Sequence, residues 1–319
     1  MLLSLGLVGL DAAGWDLGLR QVEESMLRAI DFSSLLMQGM LSLLLFAGAL
    51  HADLSELRNY RWQVGALAVI STLLSTLAVG YGTWLALPWV GLHLPLVYCL
   101  LFGALISPTD PVAVMGILKT AGAPKNLELV IAGESLFNDG VGVVLFALLL
   151  GMLTSGDAPT VKHGLELMLQ EAGGGLLFGL VLGYVTFRLL RSVDNYEVEV
   201  MLTLAAVTGG YALANRLHVS GPLAMVVVGL IVGNGGRRLA MSDTTRQYVD
   251  LFWELIDEIL NAVLFVLIGM EVLLVSFSAS ILLAAVLVMV VTLLARALTV
   301  GRVVRWAVTG RDRADRSHA

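Results

Sequence analysis

Ser107-Pro108-Thr109-Asp110-Pro111 and Gly133-Glu134-Ser135-Leu136-Phe137-Asn138-Asp139 decide how this chain is read. Both runs lie inside apolar stretches long enough to cross a bilayer. The first sets a carboxylic acid between two prolines. The second places two more acids, an amide and a hydroxyl on about two helical turns. An ionisable group at membrane depth costs about 2.5–3.5 kcal/mol on insertion scales, so such groups mark ion or proton pathways.

Outward from these runs the composition agrees. Hydrophobic residues make up 58% of the 319 and charged residues 14%, where a soluble domain carries about 25% charged. Mean hydropathy is +0.87. Spanning helices need about 20 mostly apolar residues. Nine such spans are expected, at 32–52, 62–87, 94–118, 127–153, 172–190, 197–215, 218–234, 253–275 and 279–304, with 1–10 a short remnant. Basic residues fall in alternate loops: Arg58 and Arg61, Lys119 and Lys125, Arg188 and Arg191, then Arg237, Arg238 and Arg246, and the tail Arg311, Arg313 and Arg316. That asymmetry puts these loops and the C-terminus in the cytoplasm, with the acidic segment 11–31 outside. An integral, multi-pass membrane protein is expected.

Net charge is −6, segregated by loop rather than pooled in a patch, and no nucleic-acid partner is expected. The single cysteine, Cys99, excludes an internal disulfide and reads as a small buried hydrophobe. His51, His93, His163 and His218 fall at span ends or in loops, and their spacing suggests no metal site. Asn261 reads as a helix–helix hydrogen bond. Gly173, Gly174, Gly175, Gly179 and Gly183 allow close helix packing, within the chain or between copies. Gly229, Gly233 and Asn234 read as the end of the seventh span.

The chemistry concentrates on the third and fourth spans. Pro108 and Pro111 each lack a backbone N–H and disfavour helix continuation, so a break into two half-helices is expected at residues 107–111. Freed carbonyls, Thr109 and Asp110 then face inward, since unsatisfied backbone cannot face lipid. On the next span Ser135 and Asp139 share one helix face and Glu134 and Asn138 the adjacent one. Hydroxyl, carboxylate and carbonyl oxygens suit a hard monovalent cation. A carboxylate that accepts either a proton or a cation suffices for exchange. Arg296 is the candidate counter-charge at depth, expected to pair with Glu134 and leave Asp139 to ions.

These motifs resemble those of the sodium/proton exchanger family, in its bacterial NhaP-like and animal exchanger branches, over about residues 35–305. The resemblance implies a cation- and proton-binding site at Asp139, Ser135, Thr109 and Asp110, supported by Asn138, Glu134, Arg296, Pro108 and Pro111. Sodium, or lithium or potassium, and protons are the implied substrates, with no cofactor and no enzymatic activity. It also implies a homodimer and a partial inverted-repeat fold. Residues 94–190 and 279–304 would form the ion-binding core, and 32–87 and 197–275 mixed scaffold and core helices. Against the family's usual 12 or 13 spans, the chain reads as truncated at both ends. Some relatives carry an acid after the phenylalanine of an early Leu-Phe motif; here Phe46 is followed by Ala47. A non-transporting fragment, a channel and an intramembrane aspartyl protease using Asp110 and Asp139 are the competing readings.

Overall fold

The computed structural model describes residues 39–54, 60–109, 125–154, 166, 169–236, 241–274 and 278–316, whose regular structure is all helical, with no strand among them. The helices are α1 (Leu41–His51), α2 (Arg61–Ala66), α3 (Thr72–Ala86), α4 (Leu96–Ile106), α5 (Lys125–Thr154), α6 (Gly174–Leu190), α7 (Tyr196–Arg216), α8 (Gly221–Ile231), α9 (Asp243–Leu274) and α10 (Ala279–Arg316). A wide π-helical turn, Leu67–Ser71, joins α2 to α3 as one rod. Further π turns precede α6 (Leu169–Gly173) and follow α8 (Val232–Gly236). The described residues thus form nine rods, one for each expected span.

Local sequence explains several boundaries. Asn195 caps α7, accepting from the N–H groups of Glu197 (3.0 Å) and Val198 (3.3 Å), and the acidic first turn suits the positive helix end. Ser220 caps α8, with Pro222 in its first turn where no N–H is needed. After α3 a short 3₁₀ turn, Leu87–Val90, closes at Gly91, whose φ of 77° favours glycine. At Ile106 α4 stops, as expected from the prolines that follow. Asp110, Pro111 and the remainder of that span lie outside the described residues.

Three expectations change. The seventh span does not end at Gly233 and Asn234, because the backbone continues helically through Gly236. Asn234 instead caps α1: its Nδ2 donates to the Ala52 carbonyl (2.9 Å) and its Oδ1 accepts from Leu54 N–H (2.8 Å). Asn261 bonds within its own helix, Nδ2 to Asp257 Oδ2 at 3.3 Å. Finally, α9 starts at Asp243 rather than 253 and is amphipathic, carrying Asp250, Glu254, Asp257 and Glu258.

Packing follows small residues. Gly175, Gly179 and Gly183 of α6 meet Ser220, Ala224 and Ile231 of the α8 region, so the glycine face is used within the chain. Gly229 and Gly233 press on the Phe46 and Leu50 carbonyls of α1. The main core gathers Phe46, Leu50, Met225, Val228, Val249 and Trp253. There Trp253 lies 4.5 Å from the Phe46 ring and donates to Thr203 Oγ1 at 3.0 Å. One set of neighbours is α2–α5 with α10, and the other is α1 with α6–α9; they meet where α5 touches α8 and α1. The expected division grouped 172–190 with the ion-binding helices, and α6 has α7 and α8 as its main neighbours.

At the α3–α4 crossing a β-carbon on Gly103 would strike the Thr76 carbonyl. Gly103→Ala gains about 1 kcal/mol of helix propensity, but overpacking against backbone that cannot rotate away costs about 1–3 kcal/mol. Net destabilisation is therefore expected, read as a lower unfolding midpoint in detergent. Gly151→Ala, with nothing near its added carbon, should be neutral or stabilising. The reverse order would refute this crossing.

Candidate functional site

The helix break and α5 form one hydrogen-bonded cluster. Ser135 Oγ donates to the Thr109 carbonyl at 2.6 Å. Asn138 Nδ2 donates to Thr109 Oγ1 at 2.7 Å and to Glu134 Oε1 at 2.8 Å. Thr109 Oγ1 in turn lies 3.4 Å from both Glu134 oxygens. Because a carboxylate and the Thr109 carbonyl only accept, these directions fix the roles: the amide and hydroxyls give, and Glu134 receives. Ser135 and Asn138 are buried, at 4% and 1% exposure. With its amide nitrogen committed twice, Asn138 keeps a buried Oδ1 with no partner among the described residues. Such an oxygen is costly unless something donates to it or binds it.

Close packing holds the break in place. A β-carbon on Gly142 of α5 would collide with the Pro108 ring, so glycine lets α5 lie flush against the bend. Just before the bend, buried Ser107 Oγ donates to buried Ser75 Oγ of α3 at 3.0 Å. Arg296 is half-buried on α10, and its charge and that of Glu134 act on each other. Asp139 is half-buried, one turn beyond Ser135 on the same face. Of the expected site residues, Thr109, Glu134, Ser135 and Asn138 are directly linked, Pro108 is at the bend, and Asp110 and Pro111 are outside the described residues.

A cavity of about 440 Å³ opens between α1 and α9, lined by Ala47, Gly48, His51, Asp250, Glu254 and Asp257. Leu136 of α5 lies behind its Gly48 wall. His51 Nδ1 donates to the Ala47 carbonyl at 2.8 Å. The three acids are spaced by four and three residues, which places them on one helix face; that spacing could have revealed them. Ser75 gave no such signal, being one hydroxyl among many in apolar sequence.

The family model described as "Sodium/hydrogen exchanger, transmembrane" matches residues 1–316. The chain belongs to the sodium/hydrogen exchanger family. It is therefore an integral multi-pass membrane protein of a transporter family, and the protease reading falls. Within the sodium/hydrogen exchanger family, the Na(+)/H(+) antiporter NhaP of Pseudomonas aeruginosa is 56% identical over 301 residues, covering 94% of this chain and 71% of the relative. The Na(+)/H(+) antiporter NhaH of Halobacillus dabanensis is 35% identical over 245 residues, 76% of this chain and 59% of the relative. In fold, the sodium proton antiporter MjNhaP1 of Methanocaldococcus jannaschii matches with a TM-score of 0.71 at 23% identity, over 88% of this chain and 67% of that one.

Proposed function

We propose that this chain exchanges a monovalent cation, sodium first, for protons, with both competing for the Asp139 carboxylate. The observation that carries this reading is the cluster at the helix break. Thr109, Ser135, Asn138 and Glu134 gather oxygen-bearing side chains and a backbone carbonyl beside Asp139, just past the end of α4 at Pro108. Discontinuous helices near the midplane are the general device by which transporters hold ions. The similarity to named Na(+)/H(+) antiporters supports the same choice of substrates.

Each residue has a part in the scheme. Asp139, Ser135, Thr109 and Asp110 bind the cation. Asn138 clamps Thr109 to Glu134, while Glu134 and Arg296 balance each other's charge. The acids Asp250, Glu254 and Asp257 face a cavity adjoining α5, where a negative field raises the local cation concentration. Access alternates as the helices around the break move against the others in a homodimer. The protein sits in a bacterial inner membrane with its C-terminus in the cytoplasm.

The test is sodium-driven proton flux in proteoliposomes that hold this chain, followed with an entrapped pH dye. An outward sodium gradient should drive proton uptake, and substituting lithium or potassium ranks the cations. Folded protein that moves no protons under any of these gradients overturns the reading.

A further inference from the structure

Ser75 of α3 lies outside the cluster that binds the ion in the reading above, yet it touches the element that builds it. Its Oγ accepts from Ser107 Oγ at 3.0 Å, and the two residues are 2% and 4% exposed. Ser107 is the first residue past α4, and only Pro108 separates it from Thr109. The Thr109 carbonyl and hydroxyl receive Ser135 and Asn138. A proline leaves its neighbours little torsional freedom, so the position of Ser107 is passed on to the Thr109 carbonyl.

Two features of α3 support a dedicated role. The wide turn Leu67–Ser71 just before it packs against α5 and α10, which carry Asp139 and Arg296. Such turns insert one residue, change which face follows, and are frequent at functional sites. After this one, Thr72, Ser75, Thr76, Val79 and Gly80 are all buried. Second, Gly103 and Gly80 bring α3 and α4 close enough for two short hydroxyls to meet. Serine at 75 and 107 is therefore matched to a close crossing, where a larger pair would not fit.

We infer that Ser75 is a positioning residue: by holding Ser107 it sets the height of the Thr109 carbonyl against Ser135, and thereby cation affinity and the preference between sodium and lithium. The inference rests on the proposed reading of the site. Replacing Ser75 leaves every proposed ligand in place but frees the end of the half-helix.

The test measures binding of NaCl and LiCl to the purified full chain by isothermal titration, with cation-dependent thermal stabilisation as a second readout. Loss of one buried neutral hydrogen bond corresponds to an affinity change of about 3- to 10-fold. Ser75→Ala is expected to weaken sodium binding by that factor and to shift the sodium-to-lithium ratio of affinities. Ser107→Ala should do the same, and the double variant should be no worse than either single one, because both remove the same bond. Folded Ser75→Ala protein with parental affinities and an unchanged ratio overturns the inference. So does a double variant in which the two losses simply add. Asp139→Asn run in parallel separates the two levels: parental protein that binds no better than this variant overturns the site reading itself, and the role of Ser75 falls with it.

Discussion

Asp139→Asn is expected to reduce sodium-driven proton flux to that of liposomes without protein. Asparagine keeps the shape of the side chain but neither titrates nor carries charge, so it can hold neither substrate of the exchange. At an effective dielectric of about 20, a carboxylate about 4 Å from a cation supplies about 4 kcal/mol. Its loss corresponds to roughly a thousandfold in cation affinity. Of the other proposed ligands, Thr109 and Ser135 offer only neutral oxygens, and Asp110 alone leaves the site one charge short. Competition also fixes a direction in the parental protein. Raising the proton concentration should raise the sodium concentration needed for half-maximal rate without lowering the maximum. Parental flux from Asp139→Asn would move the ion site elsewhere; a maximal rate that falls with acidity at saturating sodium would refute competition for one group.

Glu134→Ala should damage the fold rather than the ion site alone. The Glu134 carboxylate receives the Asn138 amide at 2.8 Å, lies 3.4 Å from the Thr109 hydroxyl, and shares an electrostatic interaction with Arg296. Removing one partner of a fully buried charge pair costs about 3–5 kcal/mol, because the other charge is stranded; Glu134 and Arg296 are half-buried, so a loss of about 3 kcal/mol is expected. That is well above the roughly 1 kcal/mol of an ordinary substitution. Arg296→Met should restore much of the loss when combined with Glu134→Ala, since a matched apolar replacement of both charges is often neutral. Unfolding midpoints of the two single variants and the double variant in detergent give the coupling directly. A Glu134→Ala protein as stable as the parent would show that Arg296 is balanced by another group.

What could be read in the sequence was set by how each feature is encoded. Prolines act locally and without alternatives, so Pro108 announced where α4 would stop. The spacing of Ser135 and Asp139, and of Glu134 and Asn138, needs only the helical period. Apolar length alone located nine rods. The acids of α9 were harder to place, because Asp250, Glu254 and Asp257 look like a wet span end until α1 is seen across the cavity. Other features depend on a partner distant in the chain. Nothing near Ser75 names Ser107, and nothing near Asn234 names Ala52. Hidden too was the wide turn Leu67–Ser71, since a single extra residue in a uniformly apolar run leaves no mark on its composition.

The cap that Asn234 places on α1 also has a history in time. Its partners, Ala52 and Leu54, are 182 and 180 residues earlier in the chain. While the ribosome is making the intervening helices, the end of α1 has a carbonyl and an amide that only water or lipid headgroups can satisfy. The cap on the first helix of the described fold therefore depends on a residue synthesised 180 residues after Leu54. The helix that walls the acidic cavity with Ala47, Gly48 and His51 is thus capped at its end only once α8 and the turn after it are made.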